Sequence, residues 1–200
     1  GSNITRSLYS LPPKVLFTRA LSNGDGRTDI IASVENKNAT AAAKNIPYKV
    51  QVSAGKFVIQ EVSGTLDLPP GATVPVFIPG IFSGKQKVAT AFLTIDPSSL
   101  QWFSLDDSPR VEPLVLGSKQ TGKPGAPRIE ATLTNPGAVA MTNVRVVVLV
   151  RNASGDVIAA SETVVSVIPA QDTATAIFTW NNAFSDTPAS IEVVPFIPLP

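Results

Sequence analysis

The sequence predicts an all-β protein: two tandem immunoglobulin-like (fibronectin III-like) antiparallel β-sandwich domains. Three observations carry that expectation. First, the chain repeats itself. Ile30-Ile31-Ala32-Ser33-Val34-Glu35-Asn36 returns as Ile129-Glu130-Ala131-Thr132-Leu133-Thr134-Asn135, Asn45-Ile46 returns as Asn143-Val144, and Leu68-Pro69 returns as Ile168-Pro169. The shift of 98 to 100 residues marks a duplicated domain, since solenoid units repeat every ~20–50 residues. Second, apolar residues alternate with a period of two through most segments, the spacing of a strand with one buried face. Third, no segment sustains a helical period; Ala39–Ala43 is the one helix-prone stretch and is too short to nucleate.

Taken in order, residues 1–13 read as a polar lead-in ending at Pro12-Pro13. Gly1-Ser2 has the look of an expression scar, so the chain is expected to be a piece of a longer protein. Lys14–Ala20 is the first predicted strand. Asn23-Gly24-Asp25-Gly26 follows as a turn, because Asn, Asp and Gly tolerate positive φ. Asp29–Glu35 places Ile30, Ala32 and Val34 inward. Asn36–Lys44 reads as a polar, Ala-rich connection. Ile46–Val52 is a strand whose Pro47 points to an edge or a strand start, since proline has no N–H to donate. Phe57–Leu68, Thr73–Ile78 and Val88–Ile95 continue the first domain, 14–106, and Leu100–Leu105 adds an edge strand plugged by Trp102. Residues 107–113 form the linker, polar and Pro-containing.

The second domain, 114–200, opens with a strand over Val111–Lys119 and a Gly/Pro-rich hairpin at Gly122–Pro127. Arg128–Asn135 is its next strand. Val144–Arg151 is apolar on both faces, so it is predicted to be a central strand covered on both sides. Ala153-Ser154-Gly155-Asp156 turns into Val157–Ile168, and Thr173–Trp180 and Ile191–Ile197 complete the set.

Composition narrows the function. The chain has no His and no Cys. That removes the commonest general base and metal ligand, any Ser-His or Cys-His dyad, zinc–thiolate sites and disulfides. A net charge of +1 argues against nucleic acid, which needs a concentrated basic field. Lys119, Lys123 and Arg128 are too dispersed to supply one. No run of 18 or more apolar residues spans a bilayer.

Four groups of residues invite chemistry. Asn23, Asp25 and Asp29 resemble part of a calcium loop and could give three of the 6–8 oxygens that Ca²⁺ takes. Leu21, however, occupies the position of the leading Asp, and Arg27 adds a positive charge, so the stretch reads as a turn. Glu35, Asp67, Asp96, Asp106, Asp107 and Glu130 could furnish a glycosidase pair, which needs two carboxyls about 5 Å apart in a cleft; their spacing points to surface solvation. Lys14 and Asp96 could be opposed across a sandwich and joined by an isopeptide bond, although no catalytic acid accompanies them. The rings Phe77, Phe82, Phe92, Phe178, Trp180 and Phe196 are expected mostly in the core, with Trp102 and Phe184 at a rim. Asn3, Asn38 and Asn152 head glycosylation sequons, and three such matches are common by chance. No catalytic residue, metal site or cofactor is expected.

The second copy reads Val148-Leu149-Val150-Arg151-Asn152 before Ala153-Ser154-Gly155, preceded by Asn143-Val144 and followed by Ile168-Pro169-Ala170; the first copy carries Leu68-Pro69-Pro70-Gly71. This layout resembles the FxLYD-type immunoglobulin-like domains of bacterial envelope and surface proteins. Val, Arg and Asn stand where that family has Phe, Tyr and Asp, and the first copy has Tyr48-Lys49-Val50-Gln51-Val52 instead of the motif. The resemblance covers roughly residues 14–198. It implies a location outside the cytoplasm, anchorage by a segment outside this sequence, and a spacer or binding role; it carries over no catalytic residues. The expected function is a non-enzymatic, monomeric surface module for spacing, presentation or adhesion. Its expected partner is an unidentified protein or glycan at the cell surface, with no nucleic acid and no membrane insertion by this segment. The alternative is a carbohydrate-binding or accessory module of a larger envelope enzyme.

Overall fold

The computed structural model describes residues 10–24, 26–82, 90–105 and 110–200. Among these the chain is all-β, with thirteen strands, one short 3-10 turn at Pro97–Ser99 and no α-helix. The strands are β1 (Lys14–Gly24), β2 (Arg27–Glu35), β3 (Ala41–Ala54), β4 (Phe57–Leu68), β5 (Thr73–Phe82), β6 (Thr90–Ile95), β7 (Trp102–Ser104), β8 (Leu114–Lys123), β9 (Ala126–Thr134), β10 (Met141–Arg151), β11 (Val157–Ile168), β12 (Thr173–Thr179) and β13 (Ser190–Pro195). They form four sheets, ordered β1-β2-β5, β4-β3-β6 with β7 also on β3, β12-β9-β8 and β11-β10-β13. Two compact units result: one takes in Gly1–Ala20, Ile30–Ser108 and Pro198–Pro200, the other Leu21–Asp29 and Pro109–Ile197.

The second unit shows most plainly how the sequence closes a core. From β9, Ile129, Ala131 and Leu133 point inward at alternate positions. They meet Val144, Val146, Val148 and Val150 of β10, Ile158, Ala159, Val165 and Ile168 of β11, and Ala176 and Phe178 of β12. The two sheets thus bury one apolar face each against the other, as in a β-sandwich. As its two-sided pattern predicts, β10 is central, paired antiparallel with β11 and with β13. Val147 and Leu149, on the face away from that core, are buried as well.

In the first unit Ile30, Ala32, Val34, Ile46, Val50, Val52, Leu66, Leu68, Val74, Val76, Ala91 and Leu93 are buried. β2 differs from the expected half-buried strand: Ile31 and Ser33, at the alternate positions, are buried too. The Ala-rich stretch expected as a connection is strand. Ala41–Ala43 pair with Ser104–Trp102 of β7, and Ala43 also pairs with Leu68. Ala42 and Ala43 are fully buried, and their small side chains suit a site walled by neighbours on all sides. Pro47 is not at a strand start but does stand at a local edge. It lies within β3 opposite Thr65, where pairing on the other side lapses between Ala43 (on β7) and Tyr48 (on β6). A residue without an N–H fits that break in the ladder.

The repeated sequence words turn out to be repeated backbone devices. Asn36 and Asn135 directly follow β2 and β9 and are 1% and 0% exposed. Asn135 Nδ2 donates to Val139 O (2.8 Å) and Ile168 O (3.0 Å), while its Oδ1 accepts from Gly137 N (2.9 Å). Asn36 Nδ2 donates to Ala41 O (2.8 Å), Pro69 O (2.8 Å) and, more distantly, Leu68 O (3.4 Å), and its Oδ1 accepts from Asn38 N (2.9 Å). Main-chain bonds complete the match: Asn36 N to Ala72 O and Asn135 N to Asp172 O. Asn45 and Asn143 share the left-handed conformation, φ 54° and 51°. Asn45 falls where the register of β3 shifts by one residue, between Ala43 and Ile46, whereas Thr142 and Val144 keep one register on either side of Asn143 in β10. Asn tolerates this region far better than a β-branched residue, so the repeated asparagine supplies a left-handed position in each copy, accompanied by a bulge in β3.

Candidate functional site

Asn23 and Asp29 come together across the β1–β2 hairpin, where Asn23 Nδ2 donates to Asp29 Oδ1 at 2.9 Å. Asn23's backbone carbonyl accepts from the Asn182 side-chain amide. An amide nitrogen, not an oxygen, therefore faces the Asp29 carboxylate, and Asp29 is itself buried. The pair ties the hairpin; it does not present a ring of oxygens to a cation. Asp25 lies outside the described residues. Among the described residues no three His, Cys, Asp or Glu side chains group to hold a metal.

Three of the carboxylates, Asp67, Asp96 and Glu130, are engaged in local structure. Asp67 Oδ1 accepts from Asn45 N at 2.8 Å, steadying the β3 bulge. Asp96 caps the 3-10 turn, accepting from Ser98 Oγ (2.8 Å) and Ser98 N (3.0 Å). Those two bonds, the hydroxyl's first, hold its carboxyl below the ordinary range. Glu130 sits between Arg128 (3.1 Å) and Lys119 (3.5 Å), which accounts for two members of the dispersed basic group; Lys123 ends β8 and is exposed. Glu35 ends β2, and Asp106 and Asp107 lie outside the described residues. Lys14 opens β1 in one sheet, and Asp96 follows β6 of another with its carboxylate on Ser98.

The aromatics separate into core and surface. Phe178 is buried, and Trp180 and Phe184 pack partly buried against the same core in an edge-to-face pair, centroids 5.0 Å apart. Trp180 Nε1 donates to Ala160 O at 3.1 Å. Phe196 lies under the Arg145 guanidinium, 4.3 Å from its centroid. Phe77 and Trp102 are half-buried, and the Phe82 side chain lies outside the described residues. Phe92 overturns its expected core position: it is 60% exposed. The reason is phase. In Thr90-Ala91-Phe92-Leu93-Thr94 the inward positions are Ala91 and Leu93, which leaves Phe92 outward between two threonines.

That outward ring lies at one end of an exposed row on the first unit. Across the β6–β3–β4 ladder, Phe92 stands opposite Gln51, and Gln51 stands opposite Glu61. Facing pairs project from the same side of a sheet, so a ring, an amide and a carboxylate form one row. Gln51 Nε2 donates to Glu61 Oε2 at 3.1 Å, and Lys49 Nζ lies 3.8 Å from Glu61 Oε1. The adjoining row is Thr90, Ser53 and Val58, with Val58 56% exposed. An apolar platform edged by a near-neutral set of donors and acceptors can stack on a flat ligand face while hydrogen-bonding its rim. Gln51, Lys49, Glu61 and Val58 were not singled out by the sequence reading. The signal that could have found them was the Thr-Phe-Thr phase of β6.

No family model matches the chain, and no curated protein matches it. Among solved structures, the chain is similar to a crystal structure of red sea bream transglutaminase, with 12% sequence identity and a TM-score of 0.29. The match covers 98% of this chain and 31% of that one, so the chain spans under a third of the matched protein's length. A likeness at that score carries no argument about fold or activity. No helix among the described residues is long and apolar enough to cross a membrane.

Proposed function

We propose that this chain is a non-enzymatic, extracytoplasmic interaction module. In this reading it is a tandem pair of immunoglobulin-like domains of the FxLYD-resembling kind that spaces, presents or adheres at a cell surface. The observation that carries the reading is the internal duplication of one β framework, down to the buried Asn clamp and the left-handed Asn in each copy. Duplication of a rigid unit lengthens and stiffens a chain without supplying any chemistry. The polar side chains that could have been reactive are instead spent on caps, bulges and hairpin ties. The test is adherence of beads coated with the chain to intact bacterial and host cells, beside turnover assays on generic esterase, glycosidase and protease substrates. Adherence above an albumin control with flat turnover supports the module. Turnover that copurifies with the chain and is lost on a point substitution would overturn it.

A second reading, a carbohydrate-binding module, is favoured by one specific feature, the Phe92–Gln51–Glu61 row. Ring stacking on a sugar face with amide and carboxylate bonds to its hydroxyls is the chemistry such a row offers. A glycan array decides between the two readings. Micromolar binding to one polysaccharide that is lost in Phe92→Ala and Gln51→Ala favours the sugar module, and a blank array favours the spacer.

A further inference from the structure

The geometry points to Asn23-Gly24 as a site of spontaneous self-modification, in which the Asn23 amide is converted through a cyclic imide to aspartate or isoaspartate. The reaction is intramolecular. The Gly24 backbone nitrogen loses its proton and attacks Asn23 Cγ, the Cγ–Nδ2 bond breaks and ammonia leaves. Water then opens the ring at either carbonyl, so the sum is amide plus water giving acid plus ammonia. No enzyme, metal or oxidant is needed.

Three observations converge on this peptide. It is the only Asn-Gly in the chain, and glycine leaves the attacking nitrogen free of Cβ obstruction. Next, the Asn182 side-chain amide donates to Asn23 O. That oxygen belongs to the same peptide unit as the Gly24 nitrogen, and amide resonance spreads the charge of a deprotonated nitrogen onto it. A fixed donor at that point stabilises the anion that must form, in the manner of an oxyanion hole. Finally, Asn23 Nδ2 is held by Asp29 Oδ1 at 2.9 Å. That bond commits the side chain to a partner across the hairpin and restrains it from turning onto its own backbone. Asn182 thus promotes the reaction and Asp29 delays it.

The other copy shows that the device is not a general property of the fold. Its corresponding hairpin carries Thr121-Gly122, with Gly122 at the same φ of 84° as Gly24, and threonine has no amide to lose. Conversion at Asn23 replaces the donor to Asp29 by a carboxylate, so two like charges face each other and the tie across the hairpin is lost. The modification therefore loosens one hairpin with time after folding.

The experiment incubates the folded full chain at mildly alkaline pH and maps peptides by mass spectrometry, with an isoaspartate-specific methyl-transfer assay as the second readout. Conversion confined to Asn23 is expected, with a rate that rises with pH as nitrogen deprotonation demands. Asn182→Ala, at an exposed position, is expected to slow conversion several-fold, and Asp29→Ala to speed it several-fold. Asn23→Asp should reproduce the chromatographic shift of the aged protein. Circular dichroism checks that each variant remains folded, and if Asp29→Ala unfolds, Asp29→Asn takes its place. An unconverted Asn23 after a period in which a free peptide of the same sequence converts fully, or an Asn182→Ala rate equal to the unsubstituted one, overturns the proposal.

Discussion

Replacing Asn135 with alanine tests the central structural claim, that one buried amide closes each copy. The side chain makes three bonds, to Val139 O, Ile168 O and from Gly137 N. The bond to Ile168 O is fully buried, so its loss strands a carbonyl at about 1–3 kcal/mol; the two part-buried bonds contribute about 0.5–1.5 kcal/mol each, because water can partly replace them. The sum is about 2–6 kcal/mol with a centre of about 4, a large share of a margin of roughly 5–15 kcal/mol. With a urea slope of about 1–3 kcal/mol per molar, the unfolding midpoint of the second unit falls by roughly 2 M. The two tryptophans make the assay specific. Trp102 lies in one unit and Trp180 in the other, so Trp102→Phe leaves fluorescence that reports the second unit alone. Asn36→Ala, which removes the matching clamp, should lower the Trp102 transition and spare that of Trp180. A midpoint for Asn135→Ala within about 0.3 M of the parent would refute the reasoning, since even one stranded buried carbonyl costs more than that.

A Cβ at Gly64 would lie 2.3 Å from Tyr48 Oη and 2.5 Å from its ring; Gly64→Ala is expected to cost about 1–3 kcal/mol in thermal or urea unfolding, with part recovered when Tyr48→Leu clears the site. Asn143→Val places a β-branched residue at φ 51° and should destabilise by about 1–2 kcal/mol, whereas Asn143→Gly should be neutral or slightly stabilising by the same measurement. Glu162 has its carboxyl pushed above the ordinary 4.5 by burial, against the opposing pull of Arg145. Its ionised form is penalised in the fold, so its contribution is most favourable below that ordinary value and is lost as pH rises through the raised one. Glu162→Gln should therefore flatten the fall in unit-two stability above pH 4.5, as read from urea midpoints across pH. Asp186 has the opposite sign. The Thr187 N–H, then the Asn152 amide, hold its carboxyl down, so its contribution is present at neutral pH and lost on acidification, and Asp186→Asn should weaken the protein at pH 7 while changing little in acid.

How much of this was legible beforehand divides by range. Strand positions in the second copy were readable because one segment apolar on both faces, Val144–Arg151, announced a central strand, and β10 occupies that place. The first copy was harder. Ala41–Ala43 look helix-prone and polar-flanked in isolation, yet they are strand because β4 and β7 lie on either side of them. Phe92 was assigned inward by ring size, although its threonine neighbours carried the correct phase. The row it forms with Gln51 and Glu61 could not be read at all, because it depends on the register between three strands separated by many residues.

The sequence alone determined that the chain is all-β, that one framework occurs twice, and that chemistry needing imidazole or thiol is excluded. Those conclusions rest on periodicity, internal repetition and residue absence, all local or countable. Tertiary structure alone decided what the repeated asparagines do, which face of β6 meets water, and which donors reach the Asn23-Gly24 peptide. Each of these turns on partners distant in the chain, such as Ile168 for Asn135 and Asn182 for Asn23, and no local pattern specifies which distant group will arrive there.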